Sequence, residues 1–293
     1  MTVLKNTHYL FIDPNQDDVV TEIIKILSQI DKEQIHEFVN RLGGTNRLVA
    51  AYRKTISVFS SFMDIYPNLL PAETYLRYKD ANSDNFGIST CSFSDIKTFY
   101  QDSYETILSL LYIPVCLDNI ISRGQYNIFS PSIIGIFQTD RYKRMSHYSD
   151  YKKYIVLEKG MKLKQYDPTE PIQSLLAMSL NGSLRNGIGH NSFSYDGVSQ
   201  TITVFDRRDP TKVELQTSLL NMATDCISIV RDAVVLSEII LFLLREQYRQ
   251  EGKCSVMHPR FYQGVERNEK CPCGSQIKYK SCCKNDIDQL LHK

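Results

Sequence analysis

Cys271-Pro272-Cys273 and Cys282-Cys283, separated by eight residues, put four of the chain's eight cysteines within thirteen positions. Four thiolates at that spacing can converge on one tetrahedral Zn²⁺. The segment between them, Gly274 to Ser281, is too short and too polar to bury a core of its own. A module this small needs a metal or disulfides to fold. The competing reading is a redox or disulfide cluster. Adjacent cysteines such as Cys282 and Cys283 rarely pair with each other, so the spacing favours a structural zinc knuckle. Four thiolates leave no open coordination position, and any chemistry must be sought elsewhere in the chain.

The same residues carry a resemblance. Arg267-Asn268, Cys271-Pro272-Cys273-Gly274-Ser275, Lys278-Tyr279-Lys280 and Cys282-Cys283 resemble the SEC-C motif, a zinc-binding appendage found at the C-terminus of the bacterial preprotein-translocase ATPase and of many unrelated bacterial proteins. Gln276 and Ile277 depart from the usual loop residues and leave the ligands untouched. The resemblance implies Zn²⁺ and a docking role toward a protein or a ribosome. It does not imply translocase activity, because no phosphate-binding Gly-Lys-Ser/Thr loop occurs in the sequence.

Hydrophobic residues make up 42% and charged residues 23% of the 293 positions, which argues for a folded rather than a disordered chain. Met1 to Leu10 lacks the basic-then-apolar pattern of a signal peptide. The longest apolar run, Ala233 to Leu244, is interrupted by Ser237 and Glu238 and is too short to span a bilayer. Clustered cysteines without a secretion signal point to a reducing, cytoplasmic location and to no membrane partner.

Periodicity predicts a mainly α protein, a helical bundle over 1–250 with a small β-hairpin insertion. A 251–266 linker and a 267–293 zinc-binding tail follow, and an N-terminal helical subdomain over 1–90 is an option. Val19, Val20, Ile23, Ile24, Leu27 and Ile30 form one stripe, and Ile35, Phe38, Val39 and Leu42 another, stopped by Gly43-Gly44. Leu48 to Tyr66 reads as a third helix ended by Pro67, with 67–93 a long connection. Ile96, Phe99, Tyr100, Ile107, Leu108 and Leu111 form a strong stripe, and Pro114 kinks or ends it. Residues 122–140 read as irregular. Ile172, Leu175, Leu176, Leu180 and Leu184 form a further stripe. Phe193-Ser194-Tyr195, the turn Asp196-Gly197 and Thr201 to Phe205 signal a hairpin, with a third short strand at 212–215. A long apolar helix from about 218 to 250 closes the body.

The best candidate for chemistry is Leu184-Arg185-Asn186-Gly187-Ile188-Gly189-His190. On an unbroken helix, residues five apart lie about 140° apart. Gly187 and Gly189 argue against an unbroken helix and suggest that it ends near Asn186, with the chain folding back to bring His190 beside Arg185. Arg binds a phosphate bidentately and stabilises charge on its oxygens, and His passes a proton near neutral pH. An amide such as Asn186 can orient either group. The bland alternative is a helix C-terminus with Arg beside the dipole and Gly at the cap. The run resembles the signature of the HEPN superfamily: Arg, a polar residue, a short spacer, then His. Those proteins are helical bundles, and many are metal-independent endoribonucleases of prokaryotic defence, toxin–antitoxin and abortive-infection systems. The resemblance implies catalytic Arg185 and His190, a supporting Asn186, a homodimer and an inhibitor or antitoxin. The apolar stripes at 96–111 and 172–184 are the surfaces expected for the dimer. Ser192 stands where one subfamily carries a modified Tyr, so that form of regulation is not expected.

Residues 141–164 carry eight cations against Asp150 and Glu158, with Tyr142, Tyr148, Tyr151 and Tyr154 interleaved. Cations that track phosphates beside rings that stack bases suit single-stranded RNA, and Arg141, Lys143, Arg144, Lys152 and Lys153 are the candidate contacts. The alternative is a solvated face with its tyrosines packed inward. The combined expectation is a cytoplasmic endoribonuclease of a stress or antiviral defence system. It would cleave RNA through its own 2′-OH, with no cofactor for catalysis and a structural Zn²⁺ in the tail. The competing expectation is a non-catalytic helical adaptor that docks through the tail.

Overall fold

The computed structural model describes residues 19–78, 87–251, 262, 264–272 and 277–291. It is mainly helical, with one three-stranded antiparallel sheet and a cysteine cluster near its C-terminus. Helices α1 (Val19–Leu27) and α2 (Lys32–Leu42) form where the stripes predict them. Asp31 caps α2 by accepting from Glu33 N, and Gly43, at φ 109°, ends it in the left-handed region that glycine reaches without strain. The central helix is α11 (Leu219–Gln250), opened by Ser218, whose side chain accepts from Asn221 N. It packs along α1, α2, α3 (Gly44–Tyr78) and α4 (Phe93–Leu110) and forms the axis of the core. By length and hydropathy the stretch Phe93–Arg123 could cross a membrane, but 72% of its most apolar part is buried inside the protein. It is a core helix pair.

Helix α3 does not stop at Pro67. It runs through Pro67 and Pro71 to Tyr78. An internal proline costs about 3 kcal/mol. Here full burial of Leu69 and Ala72 offsets that cost. Two hydrogen bonds add to it: Tyr66 Oη donates to Glu73 Oε2 at 2.9 Å, and Thr90 Oγ1 donates to the Asn68 carbonyl at 2.7 Å. Pro114 acts as its sequence predicts, in that α4 yields at Leu111 to α5 (Tyr112–Arg123). The 122–140 stretch is not wholly irregular. Ser130-Pro131 opens the short α6 (Pro131–Phe137), with proline at the first helical position where its missing N–H is harmless.

The 172–184 stripe is not one helix either. It gives a single 3₁₀ turn at Gln173–Leu175, then extended chain, then α10 (Gly182–Gly189), counted after the three short helices α7 (Asp140–Lys143), α8 (Asp150–Val156) and α9 (Lys159–Lys164). Two buried carboxylates cause the break. Asp118 on α5 accepts from Ile172 N at 2.6 Å and from Gln173 N at 3.2 Å. Asp232 on α11 accepts from Ala177 N at 2.6 Å and from Met178 N at 3.0 Å. Amides held by side chains cannot serve a helix ladder. Met178, at φ 46°, turns the chain between them and α10.

The sheet has the order β1 (Phe193–Asp196), β2 (Thr201–Phe205), β3 (Val213–Ser218). Phe193 pairs with Val204 and Thr201 with Ser218, and a bulge lies between Val204 and Phe205. The inward side chains of β2, Ile202 and Val204, are fully buried against the helices. The stripes proposed as a dimer surface are largely consumed by this core. Ile96, Phe99, Tyr100, Ile107 and Leu108 on α4, together with Ile172, Leu176 and Leu184, are buried. The exposed apolar side chains on α3 are instead Ile56, Met63 and Leu70, spaced by seven.

Burial pushes the carboxyls of Asp118, Asp225 and Asp232 up to about 7 from an ordinary 3.8. The folded protein therefore holds protons between those values that the unfolded chain has released. Stability from these groups is greatest at the acid end of that window and falls as pH rises toward 7. For Asp225, burial is the whole cause. Asp225→Asn should raise the urea midpoint at pH 8 and change it little at pH 5. An equal shift at both values would show that the carboxyl is not held neutral by the fold.

Candidate functional site

Helix α10 begins where Asn181 accepts from Leu184 N at 3.0 Å, a side-chain N-cap. It does not end at Asn186, and the chain does not fold back there. Helical structure continues through both glycines to Gly189, with His190 as the C-cap. The stop is Asn191, at φ 54°: Asn191 N donates to Ile188 O at 3.2 Å, and Ser192 N to Gly187 O at 2.8 Å. This is a Schellman closure with Asn in the left-handed position. Gly187 is needed for proximity rather than for a break. A Cβ there would lie 2.4 Å from Val204 Cγ1, so α10 meets β2 only because position 187 has no side chain.

Arg185 therefore projects from a regular helix. A Cβ at Gly189, one turn on, would sit 3.9 Å from Arg185 Nη1 and 3.7 Å from Gln101 Nε2, so the guanidinium lies over Gly189 toward α4. There Arg185 Nη2 meets Glu105 Oε1 at 2.5 Å, and Nη1 donates to Asn186 Oδ1 at 3.2 Å. Arg185 Nε is shielded from solvent and meets no acceptor among the described residues. Lys159 at the start of α9 pairs with Glu105 Oε2 from the other side. The Arg185 side chain is 31% exposed and that of Glu105 28%. His190 is exposed, and no hydrogen bond joins it to Arg185 among the described residues. Arg185, Asn186 and the helix end at His190 are thus brought together along one short helix, but not by the chain reversal expected. Glu105, Gln101 and Lys159 belong to this site and went unread, because nothing local in the sequence links α4 and α9 to α10.

The basic segment divides in two. Arg141 is exposed and paired with Glu158 at 2.5 Å, and Lys143, Arg144 and Lys152 are exposed. Lys152 lies 6.0 Å from the centroid of the exposed Tyr148 ring. Lys153 turns inward to Asp150 at 2.9 Å, its side chain 15% exposed. Tyr142, Tyr151 and Tyr154 are buried in the core. Only Tyr148 of the four remains available to stack on a base, so the inward-packed alternative describes most of this segment.

In the tail, Cys271, Cys282 and Cys283 bring their Sγ atoms within 4.8 Å of one another. Cys273 lies outside the described residues. The Cys282 and Cys283 Sγ atoms are 3.7 Å apart, far beyond a disulfide bond of about 2.0 Å. Two thiolates on a tetrahedral Zn²⁺ at about 2.3 Å would stand about 3.8 Å apart. The donor set therefore fits a metal. A small cluster of Tyr262, Cys271, Tyr279, Cys283 and Ile287 surrounds it, and Tyr262 stacks on Tyr279 with ring centroids 5.5 Å apart. Cys271 N donates to Ile277 O at 2.8 Å, which closes the knuckle's loop. Helix α12 (Lys284–Leu291) follows.

The SEC-C motif matches residues 267–285. No curated protein and no solved structure matches the chain. The tail thus carries a SEC-C motif with a cysteine cluster able to bind metal.

Gly187→Ala should destabilise the body by about 1–3 kcal/mol, because the methyl must displace the stiff Val204 side chain. Gly189→Ala has no neighbour closer than 3.7 Å and should stay within about 0.5 kcal/mol of the parent. Urea denaturation of the two variants checks the contrast. Equal effects would mean that α10 does not rest on β2 through position 187.

Proposed function

We propose that the protein is a HEPN-like endoribonuclease with a C-terminal zinc knuckle, acting in the cytoplasm in a stress or antiviral defence response. The observation that carries this reading is the Arg185 guanidinium, which lies over Gly189 and meets the Glu105 carboxylate, on the short helix that ends at the exposed His190. An arginine held by a single carboxylate contact can give it up for a bidentate grip on a phosphate. His190 then serves as general acid and base, and Asn186 keeps the guanidinium oriented. The ribose 2′-OH attacks the adjacent phosphorus, and the 5′ oxygen of the next nucleotide leaves. The products are a 2′,3′-cyclic phosphate and a 5′-OH. Lys143, Arg144 and Lys152 form a secondary RNA contact. A two-fold pair of chains would complete a thin site, and an antitoxin or other inhibitor would restrain it.

One observation favours a second reading, in which the body is a non-catalytic adaptor that docks on a protein or ribosome through its tail. Arg185 is already ion-paired with Glu105, as a purely structural arginine would be.

General acid–base catalysis contributes about 10²–10⁴-fold. His190→Ala should therefore lose at least about 10²-fold in RNA cleavage while keeping its thermal transition. Arg185→Lys should also be poor, because an ammonium cannot make the planar two-point contact. DNA, which lacks the 2′-OH, should resist. Cleavage that survives in His190→Ala, or that leaves 5′-phosphate ends, would sink the assignment and leave the adaptor.

The tail is read as a structural Zn²⁺ site of Cys271, Cys273, Cys282 and Cys283. Structural zinc in comparable peptides is worth about 10–16 kcal/mol, so the metal holds the tail folded. Elemental analysis should find one zinc per chain. Chelation should abolish the tail's protection from proteolysis and leave the helical signal of the body. Zinc-free protein with a protected tail would refute this.

A further inference from the structure

Arg185 belongs to a larger charge cluster that joins Lys159 and Lys162, from the end of the basic segment, to Lys54, far from it in sequence. Lys159 shares Glu105 with it. One turn along α4, Ser109 Oγ accepts from Lys54 Nζ of α3 at 3.1 Å. Lys162, one turn after Lys159, is 5% exposed and donates to the Ile155 carbonyl at 2.9 Å. Its amine is pushed down to about 8, first by burial and then by Lys159 and Lys54. Lys54 is shifted downward too, by burial, Arg47 and Lys159. These cations feel one another, and among the described residues Glu105 is the one carboxylate in direct contact with them. Four cations against one anion leave about three uncompensated charges on a partly desolvated surface where α3, α4, α9 and α10 meet.

We propose that Lys54 and Lys159, backed by the buried charge of Lys162 and continuous with Arg185, form a site for successive phosphate groups, and that the Glu105 carboxylate occupies the position of one of them until the ligand displaces it. This rests on the ribonuclease reading for the identity of the ligand, which is the backbone of single-stranded RNA running from the Arg185–His190 end of α10 toward α3. The same phosphate chemistry would also be offered by a free polyphosphate, and the two sources are separable by experiment. Repulsion between neighbouring ammonium groups is relieved when a polyanion replaces the single carboxylate. Glu105 also keeps small anions from settling on Arg185, because only a ligand with several phosphates gains enough contacts to displace it.

The test uses the full-length protein, titrated against a fluorescent 20-nucleotide single-stranded RNA and, separately, against inorganic tripolyphosphate, over a range of salt. The double variant Lys54→Gln/Lys159→Gln is compared with the charge-matched control Lys25→Gln/Lys32→Gln on α1 and α2. All variants are first checked for an unchanged thermal transition. Each phosphate contact on a single strand contributes about 0.7 to the slope of log K against log salt. The double variant should therefore lose on the order of tenfold in RNA affinity and about 1.4 in slope, and the control neither. Glu105→Gln should bind RNA more tightly than the parent. Tripolyphosphate binding that depends on Lys54 and Lys159, with no RNA binding by the parent, would support the site and refute the ribonuclease reading. RNA cleavage by a parent whose RNA affinity and slope match those of the double variant would overturn the site and leave the ribonuclease reading standing. Equal losses in the control, or weaker RNA binding by Glu105→Gln, would also overturn it.

Discussion

Asp118 and Asp232 reach from two core helices to the same strip of chain, each carboxylate gripping two successive amides. An amide stranded inside a protein costs about 1–3 kcal/mol, so this segment had to find acceptors once it entered the core. Carboxylates supply them with both oxygens, at the cost of desolvating charge, and that cost is visible in the upward push on both acids. The consequence is positional. With 172–178 pinned to α5 and α11, Asn181 falls where it can cap a new helix. Arg185 then emerges one turn later, facing α4. Tyr100 reinforces the placement, accepting from Asn181 N at 2.8 Å through its hydroxyl.

From there the approach of α10 to the sheet sets the rest. Position 187 has no side chain, so the helix lies against Val204, and Leu184 and Ile188 bury on either side of it. Only then does the opposite face, with Arg185 and Gly189, point at Gln101 and Glu105. The two glycines act through space rather than through flexibility. Gly187 admits the sheet, Gly189 lies under the guanidinium with room to spare, and both keep helical dihedrals. A helix propensity scale cannot distinguish these uses, because it charges every glycine the same entropy wherever its neighbours lie.

This explains which parts were legible in the sequence. The hairpin, the α4–α5 break at Pro114, the Gly43 stop and the cysteine knuckle are set by residues within a few positions of one another, so local rules found them. Pro67 misled because the compensation for it comes from outside the helix: Leu69 and Ala72 are held by the core, and Thr90 reaches the Asn68 carbonyl from 22 residues away. The 172–184 stripe misled for the same reason, since its acceptors sit 54 and 55 residues distant. The tyrosines of 141–164 misled in a different way. Alternation with lysine resembles a base-stacking surface, but short helices turned Tyr142, Tyr151 and Tyr154 into the core and left the charges outside. Arg185 was found as a residue, whereas its partner Glu105 was not, since 80 positions separate them.

The charge balance around Glu105 also bears on which function is correct. A structural Arg185–Glu105 pair would be complete with one cation and one anion, and such half-exposed pairs are worth little. Lys159 adds a second cation to the same carboxylate, and after burial it is Lys159 and Lys54 that push the Lys162 amine down. Burying Lys162 beside other ammonium groups weakens the folded state; among the described residues no carboxylate meets it, and the Tyr154 ring, 5.6 Å from its Nζ, offsets only part of that cost. Its stem does pack, and the Ile155 carbonyl accepts one of its three protons, but a leucine would fill that space without the electrostatic cost. An adaptor that used only its tail would have no need of this arrangement. A surface that receives phosphates does, because the repulsion present in the free protein is released when the ligand arrives and so adds to its affinity.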